Sequence, residues 1–339
     1  MIKLAINGFG RIGRTFFRVF NKKFYKNNAH ISVTVINDLA NINTIAYLLK
    51  YDSVHGKFNE NIKIYKNLLI VNKRIIKVYS ESNPIKLPWK IEKIDIVLEA
   101  TGRFLDKDNL LKHIKAGAKK VVVSAPYKNS DSGKTICYGI NHNEIKNNDQ
   151  IISTASCTTN SLAPIVKVIN DNFTIDKALV TTIHSYTSDQ NILDLPHSDM
   201  RRSRAAGLSI IPTTTGAVRA LSLIFPKLEG NIDGIAIRVP TPNVSLVDLV
   251  ITISKYTTLE DINSILKSAS KTQFKGIISY IQEPLVSVDM IGVSESSIID
   301  SLSTKVIKGN FIKILAWYDN EWGFASRVVD LISFLSKKL

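Results

Sequence analysis

Three glycines directly after a short apolar run restrict the fold of this chain more than any other sequence feature. Residues 3–7 have the pattern of a buried strand, and Gly8, Gly10 and Gly13 follow at once. The apolar residues among 16–20 then predict a helix of about three turns. A strand, a glycine-rich turn and a helix in this order are the setting of a dinucleotide-binding loop. Gly8 would permit the tight turn, Gly10 would let the backbone approach a pyrophosphate, and Gly13 would let helix and strand pack closely.

An acidic residue at the end of the next predicted strand agrees with this interpretation. Residues 31–36 predict that strand, and Asp38 follows it 25 positions after Gly13. An acid at roughly 20 positions is expected to bind the ribose 2′-hydroxyl. A carboxylate would repel a 2′-phosphate, which favours NAD over NADP. The alternative for Asp38 is a turn or helix-cap acid.

The rest of the first half alternates between predicted strands and a helix, which indicates a parallel sheet with crossover helices. Ligands bind beyond the carboxyl ends of such strands. Thr101 and Ser124 follow two of the strands and are candidate cofactor contacts, although either could serve only in a turn. The segments are small strands within 60–80, a strand at 94–100, a helix at 110–116 and a strand at 120–123.

A single thiol stands where the next apolar run gives way to a helix. Cys157 lies within the hydroxyl- and amide-rich stretch 153–160, and apolar residues at helical spacing follow from Leu162 to Ile169. Free N–H groups at a helix start would lower the thiol pKa and could hold an oxyanion. The alternative is a small core residue, the usual role of a lone cysteine. Pro164 leaves the first helical residue open.

The second half places further polar groups at the ends of apolar segments. A strand at 177–183 leads to His184, and a long loop at 189–207 contains three arginines. Residues 211–216, rich in threonine, are expected to open a helix running to about residue 225 and to form an anion site. Arg238 interrupts an apolar strand and requires an anion or an acid partner. Further segments are a strand at 247–253, a helix at 259–269, a strand at 313–318, a turn at 319–323 and a helix at 325–335.

Length and composition fit a globular protein of about two domains. The chain has 339 residues, of which 45% are hydrophobic and 22% charged. No apolar run reaches the roughly 18 residues that cross a bilayer, and the N-terminus does not have the pattern of a signal peptide. Cys137 and Cys157 have no metal-ligand spacing, so no metal is expected. We expect free thiols in a reducing compartment, the cytoplasm.

The net charge of +15 has two interpretations. A basic face could bind nucleic acid or anionic metabolites. Alternatively, solvated lysines are spread over the surface. The lysines occur singly and in pairs without a run of five, which favours the second interpretation and leaves nucleic acid at most a secondary partner.

Five blocks of sequence, in order and covering nearly the whole chain, together resemble the glyceraldehyde-3-phosphate dehydrogenase family. They are residues 7–14 (NGFGRIGR), 153–160 (STASCTTN), 184–187 (HSYT), 238–242 (RVPTP) and 317–323 (WYDNEWG). The resemblance implies a Rossmann-type, doubly wound parallel sheet and an α+β catalytic domain with a large, mostly antiparallel sheet. It implies an NAD-binding domain at 1–156, a catalytic domain at 157–322 and a C-terminal helix at 323–339 that returns to the NAD-binding domain.

The resemblance also implies a reaction. Cys157 would attack the aldehyde of glyceraldehyde 3-phosphate, His184 would act as general base, and inorganic phosphate would cleave the resulting thioester in a homotetrameric, NAD-linked enzyme. The implied NAD contacts are Gly8, Gly10, Arg11, Ile12, Gly13, Asp38, Ser82, Thr101, Ser124 and Asn320. The implied substrate-phosphate contacts are Thr187, Asp189 and Arg238. The implied contacts of the attacking phosphate are Ser156, Thr158, Thr215 and Gly216, with Arg202 nearby.

Three positions depart from the family pattern. Ser161 replaces a frequent second cysteine, Phe324 replaces a usual tyrosine, and Ser82 replaces a basic residue near the adenine. The last two departures put individual cofactor contacts in doubt. An erythrose-4-phosphate dehydrogenase is the alternative enzyme, although members of that group often depart from the His184 to Thr187 block, which this chain keeps. A protein that binds RNA or anionic surfaces is the alternative from another class.

Overall fold

The structure is a computed structural model that describes residues 1–24, 30–129 and 132–339. The chain divides into two compact units. The first consists of Met1–Ala155 and Ala325–Leu339, and the second of Ser156–Phe324. Each unit contains its own β-sheet.

Within the described residues, the first unit contains a nine-stranded, mostly parallel sheet. Its strands are β1 (Ile2–Asn7), β2 (Ile31–Asn37), β3 (Ile62–Tyr65), β4 (Leu68–Val71), β5 (Arg74–Tyr79), β6 (Ile96–Glu99), β7 (Lys120–Val123), β8 (Lys134–Thr135) and β9 (Ile151–Ser153). Their order is β3-β4-β5-β2-β1-β6-β7-β9-β8. Only the β3-β4 and β4-β5 pairs are antiparallel.

The central strands of this sheet are covered on both faces, as parallel strands with crossover helices require. Every residue of β6 and β7 is buried. Phe16, Phe17 and Phe20 of the first helix are fully buried as well. The helices of the unit include α1 (Arg11–Phe24), α2 (Ile42–Lys50), α3 (Trp89–Glu92) and α4 (Lys107–Lys115).

The second unit contains, among the described residues, a seven-stranded and mostly antiparallel sheet. Its strands are β10 (Ile175–Ser185), β11 (Ile211–Thr213), β12 (Ile232–Val239), β13 (Ser245–Ile253), β14 (Ile278–Ile281), β15 (Ser297–Ile307) and β16 (Phe311–Tyr318), in the order β11-β12-β10-β13-β16-β15-β14. The helices that follow in sequence are α5 (Cys157–Phe173), α6 (Ala217–Ile224), α7 (Leu259–Lys271) and α8 (Trp322–Ser336), which continues into the first unit. The prediction of a Rossmann-type sheet with a second, antiparallel one is confirmed.

One local prediction was wrong in extent, and one strand was not predicted. Residues 211–213 do not open a helix but form β11, which pairs with β12. Pro212 disfavours helical backbone at Ile211, which agrees with a strand there, and the helix begins at Ala217. The serine-rich β15 lacks a clear alternation and was not predicted. In the part of the chain that the structure describes, no helix combines the length and apolar character of a membrane span.

Candidate active site

Cys157 is the first residue of α5, at the position that the sequence pattern predicts. Ser156 is the N-cap residue, and its Oγ accepts a hydrogen bond of 3.0 Å from the N–H of Thr159. Cys157 therefore lies in the first helical turn, where backbone N–H groups have no partner within the helix. Pro164 is buried inside the same helix, which continues past it.

His184 lies beside this thiol. Its Nε2 is 3.4 Å from the Cys157 Sγ, and its Nδ1 is 2.7 Å from the carbonyl oxygen of Ser185. Because a carbonyl oxygen only accepts, we assign the proton of the neutral ring to Nδ1; the guanidinium of Arg238 then donates to the same carbonyl rather than to Nδ1. Nε2 then has a free lone pair that faces the thiol. This is the arrangement of a nucleophile with its general base.

Arg238 keeps the imidazole neutral. Its Nη1 lies 2.9 Å from His184 Nδ1 and 3.0 Å from the Ser185 carbonyl oxygen, to which it donates. Burial, together with this guanidinium, lowers the pKa of His184 to about 3. The ring is therefore neutral at neutral pH, and the lone pair of Nε2 is unprotonated.

The expectation of a lowered thiol pKa was wrong. Burial raises the pKa of Cys157 above its ordinary value, while the charge of Arg238 and hydrogen bonds from Thr158 lower it and offset part of the effect. Desolvation depends on the side chains packed around the sulfur, which a helix start alone does not reveal. The free thiol is therefore mainly protonated, and His184 Nε2 is a proton acceptor in place beside it.

Arg238 has no acid partner that would explain its burial. No carboxylate lies within ion-pair distance of it in the described ranges, and its buried Nε has no hydrogen-bond partner there. Burial is the largest cause that lowers its pKa, and the nearby charge of Arg202 lowers it further. A half-buried cation with a buried, unbonded Nε favours an anionic ligand.

A second cluster forms around Arg202. Its Nη1 pairs with Asp189 at 2.7 Å, and its Nε donates to Thr213 Oγ1 at 3.0 Å. Arg202 also lowers the pKa of His184 through its charge, so it acts on the same site. Thr213 belongs to the threonine-rich stretch that was expected to form an anion site at a helix start, but it serves the cluster from the strand β11.

The remaining predicted phosphate contacts lie at helix starts or in the loop after β10. Gly216 is the N-cap of α6, and Thr215 Oγ1 accepts from the Ala217 N–H at 3.2 Å. Thr187 is half-buried in the loop. Thr158 is buried, and its hydroxyl is bound to that of Tyr318 at 2.8 Å.

Tyr318 is a site residue that the sequence analysis missed, since it was assigned only to a strand. Its hydroxyl contacts both Thr158 Oγ1 and Thr182 Oγ1 at 2.8 Å. Its ring packs edge-on against His184, with centroids 6.0 Å apart. Tyr318 thereby ties the first turn of α5 to the strand that carries the base. Asn320, two residues further on, accepts a 3.0 Å hydrogen bond from Ser245 Oγ.

In the first unit, the glycine loop has the geometry that a bound dinucleotide requires. Gly8 has a φ of 90°, and a Cβ on it would lie 2.6 Å from the Thr101 nitrogen. A Cβ on Gly13 would lie 2.2 Å from the Gly8 oxygen, whereas a Cβ on Gly10 would meet no atom within 4 Å. Asp38 accepts the Phe9 N–H at 2.7 Å, which brings the acid at the end of β2 to this loop. These residues fit NAD.

The other predicted cofactor contacts have varied surroundings. Arg11 is paired with Asp52 at 2.6 Å, and Ile12 is half-buried. The hydroxyl of Ser124 donates to the Glu99 carbonyl at 3.1 Å. The Thr101 N–H donates to the Glu99 carboxylate at 2.8 Å, whereas Ser82 is exposed. The described residues contain no group of three or more metal-ligating side chains.

A dinucleotide-binding sheet together with a cysteine nucleophile and its imidazole base defines a class, the nicotinamide-dependent oxidoreductases that act through a covalent cysteine adduct. Comparison with known proteins specifies the family. Residues 2–107 match the family model of the glyceraldehyde 3-phosphate dehydrogenase NAD binding domain, and residues 156–320 match that of its C-terminal domain.

Comparison with full-length relatives gives the same family as the family models. The chain is 51% identical over 338 residues to glyceraldehyde-3-phosphate dehydrogenase of Geobacillus stearothermophilus, covering 99% of both proteins. It is 49% identical over 339 residues to glyceraldehyde-3-phosphate dehydrogenase 1 of Bacillus cereus, covering 100% of this chain and 99% of the relative. The chain belongs to the glyceraldehyde-3-phosphate dehydrogenase family and is an NAD-dependent oxidoreductase.

The two thiols are expected to differ sharply in reactivity. Cys137 is only 1% exposed, and burial raises its pKa to about 12. Cys157 is partly exposed and faces a base. We expect iodoacetamide to alkylate Cys157 well before Cys137 in the native protein. Peptide mass spectrometry over a time course measures both rates, and equal labelling of the two would argue against an activated thiol.

Proposed function

We propose that this glycolytic oxidoreductase converts D-glyceraldehyde 3-phosphate, inorganic phosphate and NAD to 1,3-bisphosphoglycerate. The observation that carries the proposal is the 3.4 Å contact between Cys157 Sγ and His184 Nε2, beside a half-buried arginine that has no ion-pair partner among the described residues. In this proposal the first unit binds NAD and the second performs the covalent chemistry.

The first step forms a carbon–sulfur bond. Sγ attacks the aldehyde carbon while His184 Nε2 takes the thiol proton, which then passes to the carbonyl oxygen to give a hemithioacetal. The backbone N–H groups at the start of α5 are the donors available to the developing oxyanion. Tyr318 keeps the first turn of α5 and His184 in register through its two hydroxyl contacts.

The second step oxidises the adduct, and bound NAD supplies the hydride acceptor. His184 Nε2 removes the hydroxyl proton, and a thioester remains on Cys157. The imidazolium is stabilised on its Nδ1 side by the Ser185 carbonyl at 2.7 Å. Asn320, held by Ser245, would bind the nicotinamide carboxamide.

The third step consumes inorganic phosphate. A phosphate oxygen attacks the thioester carbon, the carbon–sulfur bond breaks, and the proton on His184 returns to the sulfur. We assign the substrate phosphate to Arg238 with Thr187 and Asp189. We assign the attacking phosphate to Ser156, Thr158, Thr215 and Gly216, with Arg202 nearby. The shared charge effects of Arg202 and Arg238 on His184 support two adjacent anion sites.

A paired-aldehyde assay tests this function. Rates of NADH formation are measured with glyceraldehyde 3-phosphate and with erythrose 4-phosphate, each with and without inorganic phosphate, and with NADP in place of NAD. We expect rapid turnover only with the triose phosphate, phosphate and NAD together. Turnover that does not depend on phosphate, or a preference for the longer sugar, would reject the proposal.

We also infer a homotetramer in the cytoplasm. The loop after β10 carries apolar side chains that are strongly exposed in the single chain, including Ile192 at 88% and Met200 at 87%. Exposed apolar groups grouped in one loop are typical of an interaction surface. Neither Cys137 nor Cys157 forms a disulfide, which suits a reducing compartment. Light scattering that reports a monomer would contradict the tetramer.

A further inference from the structure

A buried carboxylate at the end of β6 is not used by the proposed chemistry. Glu99 is 1% exposed and His113 is 0% exposed, and the sequence analysis assigned neither of them a role. Burying a carboxylate is costly unless several donors surround it. The donors around Glu99 show what this residue connects.

Each carboxylate oxygen of Glu99 has two hydrogen-bond donors. Oε1 accepts from the Thr101 N–H at 2.8 Å and from the Thr101 hydroxyl. Oε2 accepts from Asn7 Nδ2 at 2.5 Å and faces His113 Nε2 at 3.1 Å. Asn7 is the last residue of β1 and directly precedes Gly8, while Thr101 is the residue against which Gly8 packs. Glu99 therefore fixes both neighbours of the glycine turn.

The same set of bonds continues to β2. Asn37, the last residue of β2, donates through Nδ2 to Asn7 Oδ1 at 2.7 Å. Asp38 follows it and accepts the Phe9 N–H. Glu99 of β6 bonds Asn7 of β1, and Asn7 bonds Asn37 of β2, so one set of hydrogen bonds joins the carboxyl ends of three adjacent parallel strands. These ends carry the residues that fit NAD.

The tautomer of His113 is determined by Trp89. The indole Nε1 donates to His113 Nδ1 at 2.9 Å, and an indole N–H can only donate. Nδ1 must therefore accept, so the proton of the neutral ring is on Nε2, where it faces Glu99. His113 is a neutral donor of fixed orientation beneath the cofactor loop.

We propose that His113 and Glu99 are positioning residues for NAD binding. His113 supplies the fourth donor to the Glu99 carboxylate, and Glu99 holds Asn7 and Thr101 so that the Gly8 turn keeps the shape that admits the pyrophosphate. The proposal rests on the assignment of NAD to the first unit, which binding of NAD to the unaltered protein tests separately.

Two neutral polar variants test whether His113 acts by donating a hydrogen bond to Glu99 or only by filling the space that its ring occupies. In His113→Gln, the amide NH₂ reaches the place of Nε2 and can donate to Glu99. In His113→Asn, the shorter amide reaches only the place of Nδ1, so Glu99 loses a donor. We expect the Kd for NAD to rise about tenfold in His113→Asn and to stay within about threefold in His113→Gln. The KM for NAD should follow Kd, while kcat at saturating NAD changes less.

Leu110→Ala is the control for loss of packing, because Leu110 is fully buried on the same helix, packs against Val121 and Val123, and has an apolar side chain that donates no hydrogen bond to Glu99. It should lower the melting temperature and leave the Kd for NAD unchanged. Equal affinity in both His113 variants, or an equal loss in Leu110→Ala, would overturn the proposal.

If the His113 variants do not fold, the unaltered protein still provides a test. Nitrogen-15 chemical shifts of His113 should show the neutral, Nε2-protonated tautomer that the Trp89 and Glu99 contacts require. A Nδ1-protonated or doubly protonated ring would overturn the proposal.

Discussion

Cys157→Ser is expected to lose turnover by several orders of magnitude while NAD still binds. The serine hydroxyl can occupy the same place beside His184 Nε2, but its proton is far harder to remove than that of a thiol, and an oxygen ester would replace the thioester. NADH formation measures the turnover, and a fluorescence titration measures NAD affinity.

Cys137→Ala is the control for this variant. Cys137 is buried in the first unit and has no part in the proposed chemistry, so this variant should keep its activity. Substantial turnover by Cys157→Ser, or an equal loss in Cys137→Ala, would contradict the assignment of the nucleophile.

His184→Asn should slow the reaction by roughly 10²–10⁴, the usual contribution of a positioned general base. The asparagine amide is not basic enough to take the thiol proton, and burial already raises the pKa of Cys157. Without the base, both adduct formation and its oxidation lose their proton acceptor. The measurement is kcat at saturating substrate, together with the rate of Cys157 alkylation.

The alkylation rate distinguishes loss of the base from loss of the fold. We expect His184→Asn to slow alkylation of Cys157 while the Kd for NAD and the melting temperature change little. Unaltered alkylation together with slow turnover would mean that His184 acts only after the thiol has attacked. Unaltered turnover would exclude His184 as the base.

The glycine loop could be predicted from the sequence because its requirements are local. Gly8 needs a positive φ, and Gly13 needs a close approach to the preceding turn, so residue type and spacing were sufficient. The region in which α5 begins was predicted for the same reason, since the hydroxyl-rich stretch and the helical spacing lie within a few residues of Cys157, but Pro164 left the first helical residue open until the structure placed it at Cys157.

Features that depend on distant partners could not be predicted in this way. Tyr318 reaches Thr158 across 160 positions of sequence, and nothing in its own segment indicates that contact. The direction of the Cys157 pKa was missed because burial, a property of the folded surroundings, outweighs the helix start. His113 was set aside because its partners Trp89 and Glu99 come from other segments of the chain.

The most direct test of the whole account is to look for the covalent intermediate. The protein is mixed with glyceraldehyde 3-phosphate and NAD without inorganic phosphate, quenched, and examined by peptide mass spectrometry. We predict a stoichiometric burst of NADH and an acyl adduct on the peptide that contains Cys157, which disappears when phosphate is added. A burst without an adduct, an adduct on Cys137, or an adduct that phosphate does not release would contradict it.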